Sequence, residues 1–287
     1  MNILMYVDAS ERSKKAIKFI SNIIKNLEDK KLYLIHVLPG IPEFYFGWKL
    51  DKERDRKYIE KIKAQQEKAY NEVVNTIQEV LNRIGIKAEK FIVKEGHKGE
   101  EILKEANKGY DFLVISSKND ISKFIVTNSN IPVLIFKGST KLKKVLFCTD
   151  GSEHAENAIK FGGELIKNLK VKATVLSVSS SALILKKLRA MGLSEEMVKD
   201  LANKMKEFPK PEKKYLEKGR KILKNMGIDA KTKLLDGDPA VEILKEAKNY
   251  DLVVIGCTGV GGVKEFFIGS TTMKMIKSHK NSILVVK

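Results

Sequence analysis

The chain contains few of the residues that mark several classes of protein. Its 287 residues include 2 cysteines, 6 prolines and 1 tryptophan. Two cysteines in a chain of this length exclude a disulfide scaffold and favour a reducing, cytoplasmic environment. No apolar run approaches the roughly 18 residues of a membrane span, so we expect no membrane partner. The opening residues become polar within about ten positions, which argues against a secretory signal.

Positive charge is in excess, at a formal net value of +18. The lysines are nevertheless spread along the whole chain and often stand beside glutamates, as in EKIKAQQEK, which is typical of solvated helix faces. No arginine-rich block and no alternation of basic and aromatic residues occurs, so we predict no specific nucleic-acid partner. The four histidines show no metal-ligand spacing, and we expect no zinc or iron site.

The two halves of the chain repeat one another. The opening ILMYVDASERSKKAIKFI recurs as VLFCTDGSEHAENAIKFG, and later segments match in the same order. The matched pairs lie 141 or 142 positions apart: Asp8 with Asp150, Val37 with Val178, and Glu101 with Glu242. A near-constant interval over about a hundred residues indicates a tandem duplication. We predict a boundary at the polar segment 138–141 and hence domains of residues 1–138 and 141–287.

Each half alternates short apolar strands with helical patterns. In the second half the predicted strands are Lys144–Cys148, Lys172–Val178, Lys231–Leu235, Leu252–Ile255 and Ser282–Val286. The predicted helices are Glu153–Asn168, capped by Ser152, Pro211–Met226 and Ala240–Lys248. Short, nearly all-apolar strands joined by helices predict a parallel sheet covered on both faces, which is a doubly wound α/β domain.

Three features of the second half converge on one edge of such a sheet. Ligands bind at the carboxyl ends of the strands, where the strand order reverses. Asp150 ends the first predicted strand, Val178 ends the second, and the segment GCTGVGGVKEFFIGSTT follows the fourth. Glycines let backbone amides approach a ligand, and amides that lead into a helix N-terminus bind anions. The segment is neither a Walker A loop nor a GxGxxG loop.

The residues of this segment carry a family resemblance. The chain resembles a tandem member of the universal stress protein family over essentially its whole length. The most specific element is the family's nucleotide signature, Gly-x2-Gly-x9-Gly-Ser/Thr, which is matched at Gly256, Gly259, Gly269 and Ser270. The family fold implies two tandem doubly wound domains, each with a five-stranded parallel sheet of order 3-2-1-4-5 and helices on both faces.

The resemblance also implies a ligand, an adenine nucleotide such as ATP. The aspartate and threonine after the first strand are expected to face the ribose hydroxyls. The valine is expected to offer main-chain bonds to the adenine edge. The glycines and hydroxyl residues of the signature are expected to approach the ribose and phosphates, and Mg²⁺ or Mn²⁺ is expected to lie on the phosphates. The implied contact residues are Thr149, Asp150, Val178, Gly256, Gly259, Gly269, Ser270 and Thr271.

The first half lacks the glycine segment. The interval between repeats grows from 140 positions at Ser116 and Gly256 to 150 at Pro132 and Ser282, so ten residues are missing in between. No glycine occurs between Gly109 and Gly138. We therefore predict one nucleotide site per chain, in residues 141–287, with the first half acting as a structural partner.

Partner strands and thiols give further expectations. In the family the last strands of two domains pair antiparallel, so IPVLIF and SILVV are expected to form an intramolecular pseudo-dimer, and a homodimer of chains is left open. Cys148 ends the first predicted strand of the second half and Cys257 follows the fourth, and these two strands are expected to be neighbours. One hypothesis is that the two thiols form a redox switch. The favoured interpretation is that both cysteines are ordinary small residues.

We interpret the chain as an ATP-binding protein with a regulatory or stress-response role and without efficient catalysis. The rival interpretation is an enzyme of the adenine-nucleotide α-hydrolase type, acting as a slow ATP hydrolase or nucleotidyl transferase. That type carries a Ser-Gly-Gly-x-Asp-Ser loop after its first strand, where this chain has Thr149, Asp150, Gly151 and Ser152. A third interpretation is a structural scaffold whose loop is a relic.

Overall fold

The chain divides into two compact units, Met1–Thr140 and Lys141–Lys287. The structure is a computed structural model and describes residues 1–40, 52–116, 119–207, 210–258 and 268–287. No helix within these ranges combines the length and the apolar run that crossing a membrane requires. Each unit is an alternation of strands and helices.

The first unit contains nine elements in its described residues. They are β1 (Asn2–Tyr6), α1 (Glu11–Ile24), β2 (Lys31–Leu38), α2 (Lys52–Ile84), β3 (Lys90–Glu95), α3 (Lys98–Ala106), β4 (Phe112–Ile115), α4 (Asn119–Asn128) and β5 (Val133–Ile135).

The second unit repeats this order with two additional short helices. Its described elements are β6 (Lys144–Cys148), α5 (Glu153–Ile166), β7 (Lys172–Ser179), α6 (Ser181–Ala190), α7 (Glu195–Glu207), α8 (Pro211–Asn225), β8 (Ala230–Asp236), α9 (Pro239–Ala247), β9 (Leu252–Gly256), α10 (Ser270–Ser278) and β10 (Ser282–Val286). The helices α6 and α7 were not predicted. Among the described side chains of these two helices only Val198 is buried, so little of their apolar surface faces a core.

The strands of each unit pair in parallel. In the first unit β1 lies between β2 and β4, β3 lies outside β2, and β5 lies outside β4. The second unit has the same arrangement, with β6 between β7 and β9, β8 outside β7, and β10 outside β9. The α/β class predicted from the sequence is confirmed. The inner strands β4 and β9 are buried along their whole length, which explains their uninterrupted apolar sequences.

Helices pack on both faces of each sheet. In the second unit α5 contacts α8, and α9 contacts α10. The chain winds from β6 to β8 in one direction and from β8 to β10 in the other. Right-handed crossovers therefore place the two helix pairs on opposite faces. This winding leaves the switch in strand order between β6 and β9, at the carboxyl ends of both strands.

Local capping explains where the helices that flank this switch begin. The predicted cap is confirmed for α5, because the Ser152 hydroxyl accepts a hydrogen bond from the Ala155 amide at 3.3 Å. The first unit repeats the device at α1, where the Ser10 hydroxyl accepts from the Ser13 amide at 3.2 Å. In the second unit the predicted bounds of β6 and β10 match those observed, and the other predicted bounds differ by at most two residues at either end.

Candidate nucleotide site

The predicted site residues of the second unit lie where β6, β7 and β9 end. Thr149 and Asp150 directly follow β6, Val178 is the penultimate residue of β7, and Gly256 is the last residue of β9. Gly269, Ser270 and Thr271 form the beginning of α10, the helix that follows β9 in the described chain. Gly259 lies outside the described residues.

Asp150 is exposed and oriented by its neighbours. Its Oδ1 atom accepts hydrogen bonds from the Ser152 amide at 3.0 Å and the Ser152 hydroxyl at 2.6 Å. Thr149 is buried, and its amide donates to the carbonyl of Leu176 in β7 at 2.9 Å. The carboxylate is thus held beyond the end of the sheet by a local turn, where a hydroxyl-bearing ligand is a suitable donor.

Gly151 lies in the turn that connects β6 to α5. Its φ is +80°, in the left-handed region that glycine tolerates best. A Cβ at this position would also collide with the ring of Tyr215. The ring of Tyr215 in α8 therefore packs directly against the main chain that follows Asp150. Tyr215 thus lines this edge of the sheet, which the sequence did not indicate.

Val178 presents its main chain beyond the end of β6. In a parallel sheet alternate residues direct their N–H and C=O groups to the same neighbouring strand. The Leu176 carbonyl accepts from Thr149 on the β6 side, and the Ser179 carbonyl accepts from Gly237 on the β8 side at 2.8 Å. Val178 is two residues after Leu176 and therefore faces the β6 side, where β6 has already ended at Cys148. A donor and an adjacent acceptor are thus directed toward the space above Asp150.

Packing within the protein explains why residue 256 is a glycine. A Cβ at this position would lie 2.9–3.0 Å from main-chain atoms of His154 and Ala155 in the first turn of α5. These are backbone atoms that cannot move aside, so the close approach of β9 to α5 requires glycine. This refines the expectation that Gly256 is there to admit the ribose and phosphates.

Two hydrogen bonds fasten the start of α10 to the end of β9. The Gly269 amide donates to the Cys257 carbonyl at 2.8 Å, and the buried Thr272 hydroxyl donates to the Gly256 carbonyl at 2.9 Å. Gly269 is the N-cap of α10 and has no side chain to cap the helix, and Ser270 is the first helical residue.

These bonds divide the expected phosphate ligands into two groups. The Gly269 amide already has an acceptor, whereas the amides of Ser270 and Thr271 belong to the first turn, which lacks acceptors within the helix. No acidic residue lies in that turn of α10. The helix dipole and these amides favour an anion there.

The two cysteines are buried near this edge in different surroundings. Burial, followed by the charge of Asp150, raises the pKa of the Cys148 thiol to about 12. The Cys257 sulfur lies 3.8 Å from Nδ1 of His154 in α5. Cys148 is therefore a small core residue with little thiolate character, as the favoured interpretation expected.

The same edge of the first unit is filled by larger side chains. Tyr6 stands where the second unit has Cys148, and its nearly buried ring stacks on His36 with centroids 6.4 Å apart. Burial, reinforced by the negative charge of the Asp8 carboxylate, raises the pKa of the Tyr6 hydroxyl. The Lys98 ammonium lies 5.0 Å from the centroid of the Tyr6 ring. Asp8 survives in the repeat, and its Oδ1 atom accepts a hydrogen bond from the Ser10 amide at 3.1 Å.

Two functional candidates were missed by the sequence analysis. Thr272 was overlooked because it follows the end of the matched signature. Ser177 was overlooked because the prediction concerned the main chain of its neighbour Val178. A signal for Ser177 was present, since both repeats place a polar residue inside an apolar strand, His36 in the first and Ser177 in the second.

Comparisons with known proteins identify similar chains. The model of the universal stress protein family matches residues 1–137 and 141–287. A universal stress protein of Methanocaldococcus jannaschii is 33% identical over 161 residues, which cover 52% of this chain and 97% of that protein. A crystal structure of a universal stress protein from Archaeoglobus fulgidus covers 100% of this chain and 98% of its own, with a TM-score of 0.67 and 19% identity. This likeness shows the fold.

A structure with a bound nucleotide is among the similar solved structures. It is a universal stress protein from Archaeoglobus fulgidus in complex with dAMP. It is 19% identical and covers 46% of this chain and 94% of its own, with a TM-score of 0.35.

Proposed function

The chain belongs to the universal stress protein family, and from this premise we propose that its second unit binds one adenine nucleotide, ATP, in a regulatory or stress-response role. The observation that carries the proposal is the convergence of three unlike groups at one edge of the sheet. They are the carboxylate of Asp150, the main-chain edge of Val178 and the first turn of α10. An adenine nucleotide has a matching group for each.

The chemistry of the three groups fits the three parts of ATP. The adjacent N–H and C=O of Val178 complement the acceptor and donor on the Watson–Crick edge of adenine. The Asp150 carboxylate accepts from ribose hydroxyls, and the Ser270 and Thr271 amides with their hydroxyls bind phosphate oxygens. An accompanying Mg²⁺ or Mn²⁺ is expected to be held by the phosphates, because the described residues contain no group of three side chains suited to a metal.

The proposal confines the nucleotide to one unit. In the first unit the stacked rings of Tyr6 and His36 occupy the corresponding edge. The ten-residue deletion also removes the segment that leads into the phosphate-binding turn. We also propose that the last strands of the two units pair within the chain, which hydrogen exchange tests by measuring the protection of those strands. Light scattering measures whether two chains form a homodimer.

Calorimetric titration with ATP, ADP, AMP and cyclic AMP tests the proposal. We expect one site per chain in the wild-type protein and a loss of affinity in Asp150→Asn, because the amide removes the charge that receives the ribose hydroxyls. The matched control is Asp8→Asn, which makes the same change in the first unit and is expected to leave binding unchanged. Equal losses in both variants, or no binding by the wild type, would contradict the proposal. Release of inorganic phosphate from the same samples distinguishes binding from the rival hydrolase.

A further inference from the structure

A buried hydroxyl at the proposed site has no hydrogen-bond partner. Ser177 is 2% exposed, and its Oγ atom bonds to no other group within the described residues. The great majority of buried side-chain polar atoms in proteins are hydrogen-bonded, and exceptions require a reason. We propose that the Ser177 hydroxyl binds the base of the nucleotide, an inference that rests on the function proposed above.

The position of Ser177 in the sheet supports this role. It immediately precedes Val178, whose main chain is expected to bond the adenine edge. It follows Leu176, which pairs with Cys148 at the end of β6. Ser177 is therefore level with Thr149, one residue beyond the last residue of the neighbouring strand.

The first unit shows where a side chain at this position reaches. The counterpart of Ser177 is His36, whose Nδ1 atom lies 2.8 Å from the carbonyl oxygen of Val7. Val7 is the counterpart of Thr149, so the His36 side chain extends over the end of the adjacent strand. The first unit thus satisfies this position with its own ring, which stacks on Tyr6. In the second unit the shorter side chain of Ser177 stands at this position.

The chemistry of the hydroxyl defines the part of the ligand that it recognises. A serine hydroxyl is one donor and two acceptors, so it pairs with either an amino group or a ring nitrogen of a base. It lies near the base-binding residue Val178 and not near α10, whose first turn is assigned to the phosphates. Ser177 therefore contributes to affinity for nucleosides and nucleotides, and not to affinity for phosphate chains that lack a base.

Replacement of Ser177 by alanine gives two effects of opposite sign. The ligand-free protein loses an unsatisfied buried hydroxyl, so its Tm is expected to stay the same or to rise. Affinity for ATP and for adenosine is expected to fall by about threefold to tenfold, which corresponds to the loss of one hydrogen bond. Affinity for tripolyphosphate, which has no base, is expected to stay unchanged.

The first unit offers a matched control. Ser116 is 5% exposed, and its hydroxyl is also without a partner among the described residues. Ser116→Ala makes the same chemical change outside the proposed site and is expected to leave ATP affinity unchanged.

Calorimetry and thermal unfolding of both variants test whether the Ser177 hydroxyl binds the base. Unchanged ATP affinity in Ser177→Ala, with normal binding by the wild type, overturns the role of Ser177 and leaves the proposed function standing. A lowered Tm together with an equal loss of tripolyphosphate affinity also overturns it, because that pattern indicates general damage to the unit. Failure of the wild-type protein to bind ATP or adenosine overturns the proposed function itself.

Discussion

Replacement of Thr272 by valine removes one of the two bonds that fasten α10 to β9. Valine has nearly the shape of threonine but no hydroxyl, so the substitution leaves the packing in place and deletes a single donor. Thr272 is 3% exposed and donates to the Gly256 carbonyl at 2.9 Å. After the change, the bond from the Gly269 amide is the one that remains of the two described between the start of α10 and the end of β9.

The structure sets the expected size of two effects. Leaving a buried carbonyl without its donor costs about 1–3 kcal/mol. In a domain of this size that loss lowers the Tm by roughly 2–12 °C. A helix N-terminus contributes up to about 2 kcal/mol to a nearby anion in partly buried geometry. Loosening the turn that carries the Ser270 and Thr271 amides is therefore expected to weaken ATP binding by about threefold to thirtyfold.

The assay compares ligands with and without phosphates. Titrations of Thr272→Val with ATP and with adenosine are expected to show a loss for ATP alone, because the bond positions the phosphate-binding turn and not the base. Thr272→Ser keeps the hydroxyl and is expected to restore ATP affinity. Ser122 occupies the equivalent position in the first unit and is fully buried, so Ser122→Ala serves as the control that leaves ATP binding unchanged. ATP affinity equal to the wild type in Thr272→Val, or an equal loss for adenosine, would refute the reasoning.

Two further predictions concern stability and thiol chemistry. Gly256→Ala places a Cβ within 3.0 Å of the α5 backbone and is expected to destabilise the second unit by about 1–3 kcal/mol. Thermal unfolding measures it, and an unchanged Tm would show that α5 does not approach β9 so closely. The pKa of Cys148 is raised to about 12, so the thiolate forms only as the pH approaches that value. Roughly one Cys148 thiol in a thousand is ionised at pH 9. Iodoacetamide at pH 9 is therefore expected to leave Cys148 unmodified in the folded protein, and rapid alkylation would count against its burial beside Asp150.

The sequence predicted the elements whose signals are local or repeated. Ser152 was identified as the cap of α5 because a capping serine directly precedes an apolar helical pattern. The strands were identified because nearly continuous apolar runs are typical of strands buried on both faces. The duplication added independent support, since matching segments recur in the same order in both halves at a near-constant interval over about a hundred residues.

The features of the site that the sequence did not predict depend on contacts between distant parts of the chain. Gly256 reads as part of a ligand loop, yet its Cβ position is taken by backbone of α5 about a hundred residues earlier. The Gly269 amide reads as a phosphate ligand, yet it already donates to Cys257. Neither fact has a sequence pattern of its own. The partnerless hydroxyl of Ser177 likewise appears only when all neighbours of the buried side chain are known.

A crystal structure of the chain grown with excess ATP tests the central claim most directly. The account predicts one nucleotide per chain, in residues 141–287, with its base against Val178, its ribose at Asp150 and its phosphates at Ser270 and Thr271. An empty edge in that unit, or a nucleotide bound at Asp8 in the first unit, would contradict it.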